Sequence, residues 1–197
     1  MKKLVIGVLL MAYAISSYAG FMVEPSIGAT IGTVDTKQTV AGQNLKYGIS
    51  GTEMGLKVGY SFLGANLGVS YYMGSTDFEI DQPTNQGYLD LGFDSTKTGV
   101  YAGFNFPILL RAWGIYHLDS EYKGTTGDKD VHSGKGYTLG IGLTPIPVPL
   151  PFISLSFNLE YSVVNLDEVK DGSTGVVTAE NWDVNEIKLS VSTPLDF

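Results

Sequence analysis

Apolar and polar residues alternate with a period of two through most of this chain. The final stretch, Glu186 to Phe197, shows the pattern most simply. Ile187, Leu189, Val191, Leu195 and Phe197 share one parity, and Glu186, Lys188, Ser190 and Ser192 share the other. A two-residue period places these sets on opposite faces of a β-strand. Seven earlier segments repeat the pattern: Phe21 to Thr33, Ile49 to Phe62, Ala65 to Met73, Thr96 to Phe106, Leu109 to Asp119, Gly136 to Thr144 and Phe152 to Val164. The eighth begins near Asn181 and runs to Phe197. In the fifth, both faces carry large side chains. Arg111, Trp113, Ile115 and His117 are assigned inward because that set holds the ionisable groups.

The connections alternate in length. Leu63-Gly64, Pro107-Ile108 and the stretch Thr144 to Pro151 are short, whereas polar stretches at 34–48, 74–95, 120–135 and 165–180 are long. Short turns at one end and long loops at the other, with an even number of strands, describe an outer-membrane barrel with its long loops outside. The predicted fold is all-β: an eight-stranded antiparallel up-and-down transmembrane β-barrel. Leu89, Leu91 and Phe93 alternate within the second long stretch and predict a small extension or a hydrophobic patch there. Prolines at 145, 147, 149 and 151 predict a stiff, extended turn.

Composition decides which face points inward. The polar parity is mostly Gly, Ser, Thr and Asn with scattered charges, whereas a water-facing set would be rich in Lys and Glu. Small residues suit the narrow interior of an eight-stranded barrel, and an uncharged aliphatic face suits lipid. Aromatic residues gather toward the segment ends, as in interfacial girdles: Phe62, Phe104, Phe106 and Phe152 at one, Tyr71, Tyr116, Tyr137 and Tyr161 at the other.

At the N-terminus, Lys2 and Lys3 precede an apolar run and then Ser17-Tyr18-Ala19. This predicts a secretory signal at residues 1–19, cleaved after Ala19, ahead of a barrel domain at 20–197. Loss of Lys2 and Lys3 moves the net charge from -8 to about -10, which argues against a nucleic-acid partner. Without cysteine, an exported chain has no disulfides to hold it together.

The alternation and the terminal Phe197 resemble the small eight-stranded outer-membrane proteins, across the OmpX/Ail group, the OmpA membrane domain and the OmpW group. The resemblance spans Gly20 to Phe197 and does not choose among these subgroups. It implies a Gram-negative outer-membrane location and contact with outer-membrane lipid and lipopolysaccharide. It also implies a C-terminal signal at Leu189, Val191, Leu195 and Phe197, read by the barrel-assembly machinery during insertion, and an interior ionic network that plugs the lumen.

The inward ionisable residues are Glu24, Glu53, Lys57, Lys97, Arg111, His117, Glu160, Glu186 and Lys188. Charges in a narrow interior require partners or water. Glu160 and Lys188 fall at similar heights on adjacent strands; Arg111 and Glu24 both lie near the short-turn end. These features favour a structural or surface-interaction role through the extracellular loops, with an extracellular ligand as partner. The alternative is an OmpW-like narrow channel for small hydrophobic molecules, with Tyr101, Trp113 and Ile115 lining an apolar pocket. A lipid A-modifying enzyme ranks last. His132-Ser133 and His117-Asp119-Ser120 are its candidate groups, and Asp119, not Ser120, is expected to share the His117 face. No cofactor is implied. The loop acids, among them Asp77, Asp94, Glu121 and Asp171, lack a calcium-loop spacing. Lys123, Lys129, Lys135 and Lys170 are candidates for lipopolysaccharide phosphates.

Overall fold

A computed structural model describes residues 20–40, 43–80, 91–106, 109–125, 129–144 and 155–197. The expected signal at 1–19 and the Pro145–Pro151 turn lie outside the described residues. Eight long strands form one antiparallel sheet: β1 Gly20–Val40, β2 Gln43–Phe62, β3 Ala65–Ile80, β4 Leu91–Asn105, β5 Leu110–Gly124, β6 Val131–Leu143, β7 Ser156–Lys170 and β8 Val177–Ser192. Each pairs with the next, and β1 pairs with both β2 and β8, which closes the barrel. Closure pairs the backbone polar groups within the sheet, as a strand in hydrocarbon requires.

The eighth segment is interrupted. β8 stops at Ser192, and a two-residue strand, β9 Leu195–Asp196, resumes pairing with Met22 and Val23 of β1. Two prolines explain the gap. Pro25 on β1 and Pro194 in the gap have no N–H to offer a ladder, and the Pro25 carbonyl accepts the Thr193 N–H at 3.0 Å. Beyond the gap, Phe21 and Phe197 exchange backbone hydrogen bonds of 3.1 and 2.9 Å. At the same end, β2 and β3 meet in a two-residue turn with positive φ at Leu63 (52°) and Gly64 (81°), the twist that joins antiparallel strands tightly.

The long stretches expected at 34–48, 74–95, 120–135 and 165–180 are largely strand. β1, β2 and β3 run 21, 20 and 16 residues, whereas about 9–11 suffice to cross a bilayer. The strands continue past the lipid band, and the pattern inverts there. Within the band the outward set is apolar, with Ile31, Leu67, Leu139, Leu159 and Leu189 exposed. Above it the outward set is polar, including Asp77, Asp94, Glu121 and Lys135. The inward set becomes apolar: Val34, Ile49, Phe78, Phe93, Tyr122, Val164, Leu166 and Val184 form one buried cluster. Leu91 and Phe93 extend β4 with the same inward parity and pack in this layer, not as an exposed patch; Leu89 lies outside the described residues. This upper part follows the rule for a barrel in water, and its polar exterior and turn-forming composition resemble loops in sequence.

Inside the band, large rings face glycines directly across the ladder. Trp113 pairs with Gly140 and Tyr72 with Gly55. A Cβ at Gly140 would come within 2.2 Å of the Trp113 indole, and one at Gly55 within 2.4 Å of the Tyr72 ring. The interior accommodates these aromatics only where the opposite strand presents no side chain.

The β7–β8 connection is held by Asp171. The Ser173 hydroxyl donates to its Oδ1 at 2.7 Å, and the Ser173 and Thr174 N–H groups donate at 2.8 and 2.7 Å. These bonds, led by the Ser173 hydroxyl, hold the Asp171 carboxyl well below its ordinary value of 3.8. A depressed folded-state value means the contribution is complete above the ordinary value and is lost only as pH falls through the depressed one.

Two outcomes are expected. Gly140→Val displaces the Trp113 ring and costs about 1–3 kcal/mol by overpacking, read as a lower urea midpoint for the lipid-refolded barrel. Amide protection at Ser173 and Thr174 persists from neutral pH to about pH 4 and falls throughout that range in Asp171→Asn.

Candidate functional site: the lumen

Eight of the nine ionisable residues expected inward form one continuous chain in which sign alternates at every step; His117, expected in the same cluster, lies beside the Thr138 hydroxyl instead. Arg111 grips Glu24 with two bonds, Nη1 to Oε1 at 3.0 Å and Nη2 to Oε2 at 2.5 Å. Glu24 faces Lys57 at 3.8 Å, and Lys57 faces Glu160 at 3.5 Å. Glu160 pairs with Lys188 at 2.5 Å, Lys188 with Glu53 at 2.6 Å, and Glu53 with Lys97 at 2.9 Å. Lys97 also pairs with Glu186, which ends the chain. All eight residues are buried.

Strand geometry explains the partners. Glu24 and Lys57 are direct cross-strand neighbours, as are Glu160 and Lys188. The other contacts span the lumen: Arg111 on β5 reaches β1, Lys97 on β4 reaches both β2 and β8, and Lys57 on β2 reaches β7. Glu53 and Lys57, inward on the same strand, each take partners elsewhere. Neutral donors complete the carboxylates. The Tyr122 hydroxyl donates to Glu186 Oε1 at 2.8 Å, Trp113 Nε1 to Glu160 Oε1 at 2.9 Å, and the Ser192 hydroxyl to Glu24 Oε1 at 2.7 Å. Lys57 and Lys188 lie 4.1 and 3.9 Å above the Trp113 and Tyr72 rings, positions that favour a desolvated cation.

Tyr101, Trp113 and Ile115 sit side by side with Met22 and Tyr72 in a buried cluster at the turn end. The Tyr101 hydroxyl lies 3.8 Å from Met22 Sδ, so the three residues expected to line an apolar pocket are packed within this buried cluster. Above the ionic chain lies the buried apolar layer that includes Val34, Phe78, Phe93 and Leu166. His117 is buried with its Nε2 2.7 Å from the Thr138 hydroxyl, which lies 2.7 Å from the Ser162 hydroxyl.

The candidate catalytic groups are not assembled as relays. The β5–β6 ladder slips between His117 and Ser120. This bulge reverses parity: Ser120 turns inward and Asp119 faces out, opposite to the sequence expectation. Ser120 Oγ has no hydrogen-bond partner among the described residues. His132 points inward to Glu180 at 2.5 Å and stacks on Trp182 at 4.2 Å, away from Ser133. Among the described residues no three acidic or histidine side chains cluster as for a metal. Leu189 and Phe197 face outward, and Val191 and Leu195 are half-buried beside them. The membership of the chain follows largely from parity, but its order does not, because partners across the lumen depend on strand tilt and stagger.

Glu53 is an interior link of the chain, holding Lys97 at 2.9 Å and Lys188 at 2.6 Å. Glu53→Gln is expected to lower unfolding stability by about 3–5 kcal/mol, the typical cost of breaking a buried pair. Adding Lys97→Met recovers part of that loss, as a double-mutant urea titration of the refolded barrel would show.

No family model and no curated protein matches the sequence. Solved structures do match. The outer membrane protein OprG from Pseudomonas aeruginosa is 13% identical over 92% of this chain and 98% of its own, with a TM-score of 0.55. Neisserial surface protein A is 14% identical over 92% and 99%, with a TM-score of 0.46. Ail of Yersinia pestis, solved with a heparin analogue, is 16% identical over 89% and 99%, also at 0.46. At such identities the likeness concerns the fold, and that fold is the small eight-stranded outer-membrane β-barrel.

Proposed function

We propose that this protein is a closed barrel of a Gram-negative outer membrane that works through its extracellular rim and conducts nothing through its centre. The observation that supports this reading is the succession of large buried side chains along the lumen. From the turn end upward, the Arg111–Glu24 clamp, the Trp113 and Tyr72 rings, the lysine–glutamate chain and the Val34–Phe93–Leu166 layer succeed one another. Eight strands leave an interior that side chains fill, and here large ones occupy it.

The upper strands supply the contact surface. They hold a polar, largely acidic exterior on a stiff support, which keeps its geometry where flexible loops would pay an ordering cost on contact. Lys123, Lys135 and Lys170 are exposed along this rim and suit the phosphates of lipopolysaccharide. Export through a signal ending at Ala19 and insertion by the barrel-assembly machinery, with Leu189, Val191, Leu195 and Phe197 as its C-terminal signal, belong to the same proposal.

Planar-bilayer recording tests the central claim. Reconstituted protein is expected to give no stable conductance step at neutral pH, and a persistent open channel of porin size would overturn the reading. Trp113→Ala should open a void without creating uptake of hydrophobic solutes; uptake that requires Trp113 would favour a conduit.

A further inference from the structure

Among the described residues, the wall of the barrel is split between β8 and β1. Six neighbouring strand pairs around the upper barrel remain paired to near their tips, from Tyr47↔Ile80 between β2 and β3 to Lys170↔Val177 between β7 and β8, and β1 pairs with β2 as far as Val40↔Gln43. The β8–β1 ladder alone ends early, at Asp35↔Asp183, although β1 continues to Val40 and β8 starts at Val177.

Two opposed irregularities cause the split. On β1, Lys37 has φ of 54°, its N–H donates to Asp35 Oδ1 at 3.1 Å, and the register slips between Asp35 and Thr39. On β8, Glu180 and Asn181 stand opposite Asp167 alone, because Leu166 pairs with Trp182 and Glu168 with Ala179. Each bulge disrupts the local ladder and bends its strand. The Lys37–Asp183 ion pair marks the base of the opening.

The two edges differ. The β1 edge is blunted by its bulge and by Lys37, two common defences against unwanted pairing. The β8 edge has neither lysine nor proline from Val177 to Trp182. Val177, Thr178 and Ala179 pair with Lys170, Val169 and Glu168 of β7 and with no other described strand. Val176 and Val177 are 56% and 55% exposed there. At the base, the buried Trp182 Nε1 has no acceptor among the described residues, while its ring is fixed against His132. Asp167 and Glu168 are exposed beside this edge.

We propose that the β8 edge at Val177–Ala179 receives an extended segment of a partner protein, rich in lysine or arginine, as an added strand. Main-chain hydrogen bonds would supply the affinity and the neighbouring acids the selectivity. The net charge of -8 argues for a basic segment over a second copy of this chain, because two such edges would bring like charges together. This inference rests on the surface-interaction reading and specifies its mode.

The probe is a short acetylated and amidated peptide of alternating lysine and threonine, applied to the protein in zwitterionic nanodiscs with empty discs as control. Saturable binding by fluorescence anisotropy is expected, together with slowed amide exchange at Val177–Ala179. N-methylation of alternate peptide amides, or Val177→Lys at this exposed site, should each weaken binding roughly tenfold. Absence of binding, equal binding of the N-methylated peptide, or protection confined to other strands would overturn the proposal. Any of these outcomes in a non-conducting barrel removes the edge mechanism alone, whereas a porin-like current removes the underlying functional reading.

Discussion

A strand in hydrocarbon has no water to satisfy its backbone, so each N–H and C=O must find a partner within the protein. In this chain β1 meets that demand by pairing with β2 on one side and with β8 and β9 on the other. Much else follows from the ring being small. Its interior is narrow, so Trp113 and Tyr72 fit only opposite Gly140 and Gly55. Within such a space a lone charge would be untenable, and the ionisable residues are held in an alternating chain. The lumen is therefore shaped by closure at least as much as by any function.

The same chain obeys two solvents. Lipid surrounds the lower barrel, and the apolar parity faces out. Water surrounds the upper barrel, and the apolar parity turns in around Val34, Phe93 and Leu166. The strand backbone runs through this boundary without interruption, so an inversion of side-chain pattern marks the top of the lipid band. Where water becomes available, closure ceases to be compulsory, and it is above this boundary that β1 and β8 part.

Parity made the lower barrel legible from sequence. The inward assignment of Arg111, Trp113, Ile115 and His117 followed from the ionisable groups that this parity holds, and the matched heights of Glu160 and Lys188 from counting residues above the turns. Three things escaped that reasoning, each for a physical reason. The upper strands resembled loops because water-facing strands carry the Asp, Ser, Thr and Gly that also make turns. The reversal at Asp119 and Ser120 arises from a bulge, which adds one residue without altering the local composition. The partnership of Lys97 with both Glu53 and Glu186 joins strands far apart in sequence, through a stagger that no single segment encodes.

The alternation of sign along the lumen has an electrical consequence. Arg111, Lys57, Lys188 and Lys97 balance Glu24, Glu160, Glu53 and Glu186, so a uniform field pulls equally in both directions. A voltage across the membrane performs little net work on such an array, and salt screens charges buried to this degree far less than exposed ones. The interior therefore acts as an electrically silent strut, indifferent to the swings in salinity that the outer surface must meet.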